Sequence, residues 1–270
     1  MFRRTVFSGL LSLVVLATSC GDFRKIQKST DWKLKYDAAM KYYEEKDYYR
    51  ATTLFEEILP FIRGSREAEL VQFYNAYANY YQKNYTLASH YFKTFFETYS
   101  RSDYAEEAFY MYVYSLYKQS PTYALDQSST NEALNTVQTF LNRFPNSPFR
   151  SKAIEIIDEM MGKIEQKEFE NARLYYKLGR LNAAMIALDN FKMDFPDSQL
   201  HEEACYLLIV SAHSYARQSI PTRQRERYYT CISHYEYFVD NFAESKYLKE
   251  LQDYYSQCIS AIEKLNQNNL

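Results

Sequence analysis

The sequence predicts an all-α chain, a right-handed solenoid of about five stacked helix pairs closed by a C-terminal capping helix. Three observations predict it. The stretch Phe169 to Ser198 reads as two helices with a break between them. Ala172, Tyr175 and Leu178 fall at helical spacing, Gly179 supplies the turn, Leu181, Ala184, Ala187, Leu188 and Phe191 form a second stripe, and Pro196 stops it. Glycine suits the residue that closes a helix, and proline lacks the N–H a helix needs while its ring clashes with the preceding turn. Second, successive segments end on a recurring tetrapeptide: Tyr99-Ser-Arg-Ser102, Phe144-Pro-Asn-Ser147, Phe195-Pro-Asp-Ser198 and Phe242-Ala-Glu-Ser245. In each, an aromatic closes one helix and a serine is placed to cap the next. Third, a small residue followed by an aromatic recurs at Ala39/Tyr42, Ala51/Phe55, Ala88/Phe92 and Ala172/Tyr175. A helix hairpin of about 34 residues with this small/aromatic pattern is the tetratricopeptide repeat.

The elements follow in order. Met1-Phe-Arg-Arg4 is a basic start, and Thr5 to Ala17 is an apolar run too short to span a membrane stably. Residues 1–19 therefore read as a secretory signal, outside the fold. It ends in Leu16-Ala-Thr-Ser-Cys20, the form of a bacterial lipobox with its leucine displaced by one position, so Cys20 is the expected lipid attachment site. Residues 20–30 read as a lipidated tether. Asp31 caps a first helix, Trp32 to Glu45, whose partner runs from Asp47 to Ile62. The second pair is Arg66 to Gln82 and Tyr85 to Tyr99; the third is Asp103 to Lys118 and Asn131 to Phe144. The linker Gln119 to Thr130 between the helices of the third pair is long enough to be a functional excursion. Pro148 to Leu178 begins the fourth pair, either as one long helix or as one kinked at Gly162. The fifth is Leu200 to Gln218 and Arg223 to Phe242 around Pro221. Lys246 to Leu265 caps the array with a polar outer face, leaving 266–270 as a polar tail and 31–265 as the solenoid.

Composition narrows the function. With 5 Gly and 6 Pro in 270 residues, long helices are favoured over strands. The net charge of −2 and the absence of a long basic run argue against nucleic-acid binding, which needs a basic footprint. No phosphate-binding glycine loop, H-E-x-x-H or G-x-S-x-G is present, so the chain offers no catalytic motif. Cys231-Ile-Ser-His234 presents two side chains where a zinc site needs four, so no metal and no cofactor beyond the covalent lipid is expected. Adjacent carboxylates such as Glu106-Glu107 and Glu202-Glu203 suit helix starts. Cys205, Cys231 and Cys258 sit among apolar neighbours and read as buried thiols, although an oxidising compartment permits a disulfide between two of them.

The 29 tyrosines and 18 phenylalanines are the informative feature. In this repeat the first helix of each pair lines the concave face. The register set by Tyr42, Ala51 and Ala88 turns Tyr36, Met40 and Tyr43, then Phe73, Tyr77, Tyr80 and Tyr81, toward that face. Rings with phenol hydroxyls suit an extended peptide, although packing between helices uses the same residues. Arg217, Arg223, Arg225 and Arg227 around Pro221 form a second candidate, for an acidic partner.

These features together resemble a known family. The N-terminal lipobox, the helix pairs, Tyr175-Tyr-Lys-Leu-Gly179 followed by Phe195-Pro-Asp-Ser198, and Ser102-Asp-Tyr-Ala-Glu-Glu-Ala108 are similar to the BamD (ComL/YfiO) family of outer-membrane lipoproteins of the β-barrel assembly machinery. The frequent Tyr and Asn resemble a Bacteroidetes version. Ser100 and Ala243 depart from it where prolines are expected, as does Asn79 where the repeat favours an aromatic. The resemblance implies a non-enzymatic scaffold, lipid-anchored in the outer membrane and facing the periplasm. It would bind a BamA-like barrel insertase through its C-terminal half and receive unfolded outer-membrane proteins through its N-terminal half. The alternative from another class is a tetratricopeptide lipoprotein of envelope maintenance that binds glycan or peptidoglycan.

Overall fold

The computed structural model describes residues 22–267, and every regular element among them is helical. The expected signal and Cys20 lie outside the described residues. The helices are α1 (22–28), α2 (Trp32–Glu44), α3 (Tyr48–Ile58), α4 (Arg66–Tyr81), α5 (Tyr85–Thr98), α6 (Ala105–Gln119), α7 (Ser128–Arg143), α8 (Arg150–Lys177), α9 (Leu181–Asp194), α10 (His201–Arg217), α11 (Pro221–Asn241) and α12 (Leu248–Gln267). The sequence suggested one array over 31–265. Within the chain two compact units stand apart, one running to Pro121 and resuming over Asp126–Met160, the other made of Thr122–Leu125 and the chain from Met161 onward. Helix α8 contributes to both.

Side chains at the ends start and stop these helices. The Asp31 carboxylate accepts from the N–H groups of Lys33 and Leu34, Asp47 from Arg50, and Ser65 from Ala68, satisfying donors that a first turn leaves open. Within pairs, one turn recurs three times. Lys46, Lys83 and Gly179 all take positive φ, 63°, 64° and 67°. In each case the next N–H reaches back five residues: Asp47 to Tyr42 (2.8 Å), Asn84 to Asn79 (3.0 Å) and Arg180 to Tyr175 (2.9 Å). This is the Schellman closure, in which a left-handed residue lets the last carbonyls be satisfied.

Between pairs, the four tetrapeptides fold alike. Tyr99, Phe144, Phe195 and Phe242 end their helices at φ −114 to −133° and ψ 48 to 67°. The serine three residues on donates its N–H to the aromatic's carbonyl at 2.9–3.2 Å, and its hydroxyl accepts from the N–H two residues further at 2.9–3.0 Å. Ser102 and Ser198 also donate their hydroxyls to Glu69 and Glu165, each thirty-three residues upstream. The turn is thereby bonded to the preceding pair.

Two differences from expectation have local causes. Helix α3 stops at Ile58, four residues short of Ile62, because Pro60 cannot continue it. Helix α8 runs unbroken through Gly162, the single long helix of the two forms the sequence allows. Within the stretch expected as a tether, 22–28 is helical, with Phe23 and Ile26 packed on the first pair.

The core of the first unit has two parts. Ala39, Ala51, Leu54, Phe55 and Ile58 fill the first pair; Phe92, Phe95, Phe140, Ala153 and Met160 fill the second and third pairs with the start of α8. In the second unit, Phe169, Ala172, Leu188, Phe191 and Leu208 form one cluster, and Ile209, Cys231, Phe238, Leu251 and Cys258 the other. Alanines at 39, 51, 88, 153 and 172 are fully buried, so they set close helix approach while phenylalanines fill the remaining volume. Each such ring contributes on the order of 1.5–3 kcal/mol by burial.

Candidate functional site

The first helices of the first three pairs repeat in register. Tyr36, Phe73 and Tyr110 are successive copies of one position at a step of 37 residues (73 − 36, 110 − 73); Met40, Tyr77 and Tyr114 are copies of another, and Tyr43, Tyr80 and Tyr117 of a third. The same step separates Gln82 from Gln119. Each glutamine amide donates to a carbonyl on its own helix (Ala78, 3.1 Å; Ser115, 3.1 Å) and to one on the preceding pair (Tyr48, 3.3 Å; Tyr85, 3.3 Å). The repeated amide links tie the end of α4 to the start of α3 and the end of α6 to the start of α5, and the same repeat sets tyrosines of α4 beside those of α6.

The result is a continuous chain of rings. Tyr43 of α2 meets Tyr74 at 4.9 Å. Tyr48 stacks on Tyr81 at 4.8 Å, Tyr81 on Tyr77 at 5.8 Å, and Tyr80 meets Tyr114 of α6 at 5.9 Å. Tyr110 stacks on Phe149, just before α8, at 4.5 Å with ring planes 7° apart. These separations are in the attractive range for aromatic pairs. A cleft of about 490 Å³ opens beside them, lined by Tyr77, Tyr80, Tyr81, Tyr110, Tyr114, Tyr117 and Phe149, with Lys152, Glu155 and Glu159 contributed by α8.

The predicted residues divide on this geometry. Tyr77, Tyr80 and Tyr81 line the cleft, and Tyr43 joins it through its ring contact with Tyr81. Phe73 does not. It is only 4% exposed and packs among Phe95 (5.3 Å) and Tyr104 (4.6 Å), because its side of α4 faces α5. Tyr36 and Met40 pack on the core of the first pair. The cleft residues on α6 and α8, from Tyr110 to Glu159, are absent from the sequence prediction; the 37-residue step carried into α6 identifies its three tyrosines.

The cleft's electrostatics are those of buried phenols beside carboxylates. Tyr77 donates its hydroxyl to Glu107; burial, and then that hydrogen bond, push it well above the ordinary tyrosine value. Tyr117 donates to Glu159, and that bond, with burial, raises it to about 12. Burial raises Tyr110 to about 12 as well. The Lys118 ammonium lies 4.9 Å from the centres of both Tyr114 and Tyr117. The site thus offers ring faces, neutral hydroxyls and a few charges of both signs. That suits an extended chain with aromatic or aliphatic side chains and open backbone groups.

The other candidates are largely engaged elsewhere. Arg223 pairs with Glu226 at 3.2 Å, and Arg227 lies 4.0 Å over the Tyr215 ring while donating to Ser219. Cys231 turns into the core, where its thiol reaches the Ile209 carbonyl at 3.7 Å and is pushed up by its hydrogen bond to Cys258 and by burial. Cys205, Cys231 and Cys258 are buried free thiols. In the long linker, the Lys167 ammonium holds the Leu125 carbonyl at 2.6 Å.

Comparison with known proteins adds a separate line of observation. The family model described as YfiO, outer membrane lipoprotein, matches residues 29–185. A protein of Aquifex aeolicus (strain VF5) assigned as outer membrane protein assembly factor BamD is 29% identical over 206 residues, covering 76% of this chain and 67% of the relative. The outer membrane protein assembly factor BamD of Pasteurella multocida (strain Pm70) is 23% identical over 202 residues, covering 71% and 77%. That of Caulobacter vibrioides (strain ATCC 19089 / CIP 103742 / CB 15) is 28% identical over 142 residues, covering 53% and 45%.

Proposed function

This chain belongs to the YfiO family of outer membrane lipoproteins, and from that premise we infer that it is a component of the outer membrane protein assembly machinery, held at the outer membrane. The relatives' names all concern outer membrane protein assembly, which favours this reading over envelope maintenance or glycan binding. No described helix is long and apolar enough to cross a membrane, consistent with attachment through a lipid, for which Cys20 is the proposed site. The chain works as a binding scaffold, with no catalytic residue assigned. Its partners are a BamA-like barrel insertase and unfolded outer-membrane proteins.

The observation that carries the client role is the unbroken series of rings from α2 to Phe149 around the cleft. Unfolded β-barrel segments alternate apolar and polar side chains, and an aromatic trough with hydroxyls along it matches that chemistry. The test uses Tyr81→Ala with Tyr114→Ala. Tyr81 is 48% exposed, so its removal leaves the core filled. Losing two rings, each worth about 0.5–1.5 kcal/mol, should weaken binding of an unfolded outer-membrane-protein peptide by about fivefold to a hundredfold, with the helical circular-dichroism signal unchanged. Unaltered affinity would remove the cleft from the client pathway.

A further inference from the structure

Helix α1 is docked on one side and cationic on the other. Its Phe23 ring meets Tyr42 at 5.8 Å, the Arg50 guanidinium lies 5.5 Å from both rings, and Gln27 donates its amide to Glu57 at 3.0 Å. These contacts hold α1 against α2 and α3. Arg24, Lys25 and Lys28 occupy its outer face and are exposed. The acid on that face is Asp22, 3.6 Å from Lys25 with both side chains open to water, a pairing that solvent largely screens. Nearby acids are engaged within the protein: Asp47 with Arg50 at 3.1 Å, and Glu57 with Lys35 at 2.5 Å. Tyr49, 70% exposed, shares a shallow cleft with Arg24.

We propose that the outer face of α1, Arg24, Lys25 and Lys28 with Tyr49 beside them, is a membrane-contact surface for the anionic headgroups of phospholipids. The proposal rests on the reading of Cys20 as the lipid anchor. Cys20 precedes Asp22 by two residues, and two residues span at most about 7 Å. A lipid on Cys20 therefore brings α1 to the headgroup layer. Basic side chains next to a lipid anchor add attraction to anionic leaflets, and an amphipathic ring such as tyrosine suits the interface. Because α1 is packed on α2 and α3, the contact also sets the tilt of the first pair on the membrane, which a flexible tether does not.

The test uses the whole chain from position 20 with Cys20→Ser, so that no lipid contributes. It is floated with vesicles of phosphatidylglycerol and phosphatidylethanolamine in equal parts, and with vesicles of phosphatidylcholine alone. Binding to the anionic vesicles should exceed that to phosphatidylcholine at least about tenfold, and should fall as salt rises. In Arg24→Gln/Lys25→Gln/Lys28→Gln, whose circular dichroism should be unchanged, it should fall to the phosphatidylcholine level. Equal binding by that variant, or equal binding to both vesicles, overturns the proposal. Mass spectrometry of the native chain extracted from membranes tests the anchor separately. A Cys20 without lipid would sink the anchor reading while leaving the vesicle result to stand on its own.

Discussion

Each cleft tyrosine presents an apolar ring to its neighbours and a hydroxyl that needs a partner, and glutamates on adjacent helices supply several of those partners. In the cleft Tyr77 bonds to Glu107 and Tyr117 to Glu159; away from it, Tyr206 bonds to Glu250 at 3.0 Å and Tyr91 to Glu56 at 3.2 Å. A phenol held by a carboxylate and removed from water ionises late. Tyr110 and Tyr117 are raised from 10 to about 12. In the unfolded chain the same groups lose their protons near pH 10, so between pH 10 and about 12 the folded state holds more protons. Stability must then fall as pH rises through that window and be fully present below it. Denaturant titrations at increasing alkaline pH should show this fall, and Tyr110→Phe should shrink it. A midpoint that stays level would contradict the burial assigned to these hydroxyls. At this scale the sequence was legible in part. The abundance of tyrosine pointed to the first helices of the pairs, but Phe73 and Tyr77 sit one turn apart on α4 and both meet Phe92 of α5, while only Tyr77 reaches the cleft.

Helix ends were readable wherever a breaker or a cap residue marks them. Gly179, the four tetrapeptides and the capping acids at 31 and 47 place most ends within about two residues, the ordinary uncertainty of helix boundaries. The turns at Lys46 and Lys83 were not recognisable as left-handed, because lysine carries no signal for positive φ; only their equivalence to Gly179 shows it. This makes a prediction about elements. A side chain in that conformation costs roughly 1–2 kcal/mol, so Lys83→Gly should stabilise the chain, by about 0.5–1 kcal/mol after the glycine's added unfolded-state entropy. Gly179→Ala should destabilise it by about 1 kcal/mol through backbone strain alone, since a Cβ there meets no atom within 4 Å. Thermal or denaturant midpoints measure both, and like-signed shifts would show that the three turns are not equivalent. Helix α1 escaped detection for a different reason: it has seven residues, too few for a periodic pattern, and its order comes from docking Phe23 and Ile26.

For the whole molecule, the all-helical, repeat-built architecture and the family were both within reach of the sequence, because a repeat states the same packing solution several times. The division into two units was not, since α8 runs as one helix through Gly162 and its sequence gives no sign of where one unit ends. Nor were the α8 residues that complete the tyrosine cleft, because Lys152, Glu155 and Glu159 resemble any solvated helix face until α6 is placed beside them. The central claim is that this chain serves outer membrane protein assembly as a bound scaffold. Its most direct test is purification of the chain from its own membranes in a gentle detergent, with the co-purifying proteins identified. The account predicts a β-barrel insertase with periplasmic repeat domains among them. Recovery of a carbohydrate transporter or cell-wall proteins in its place would contradict the assembly role and leave the helical fold standing.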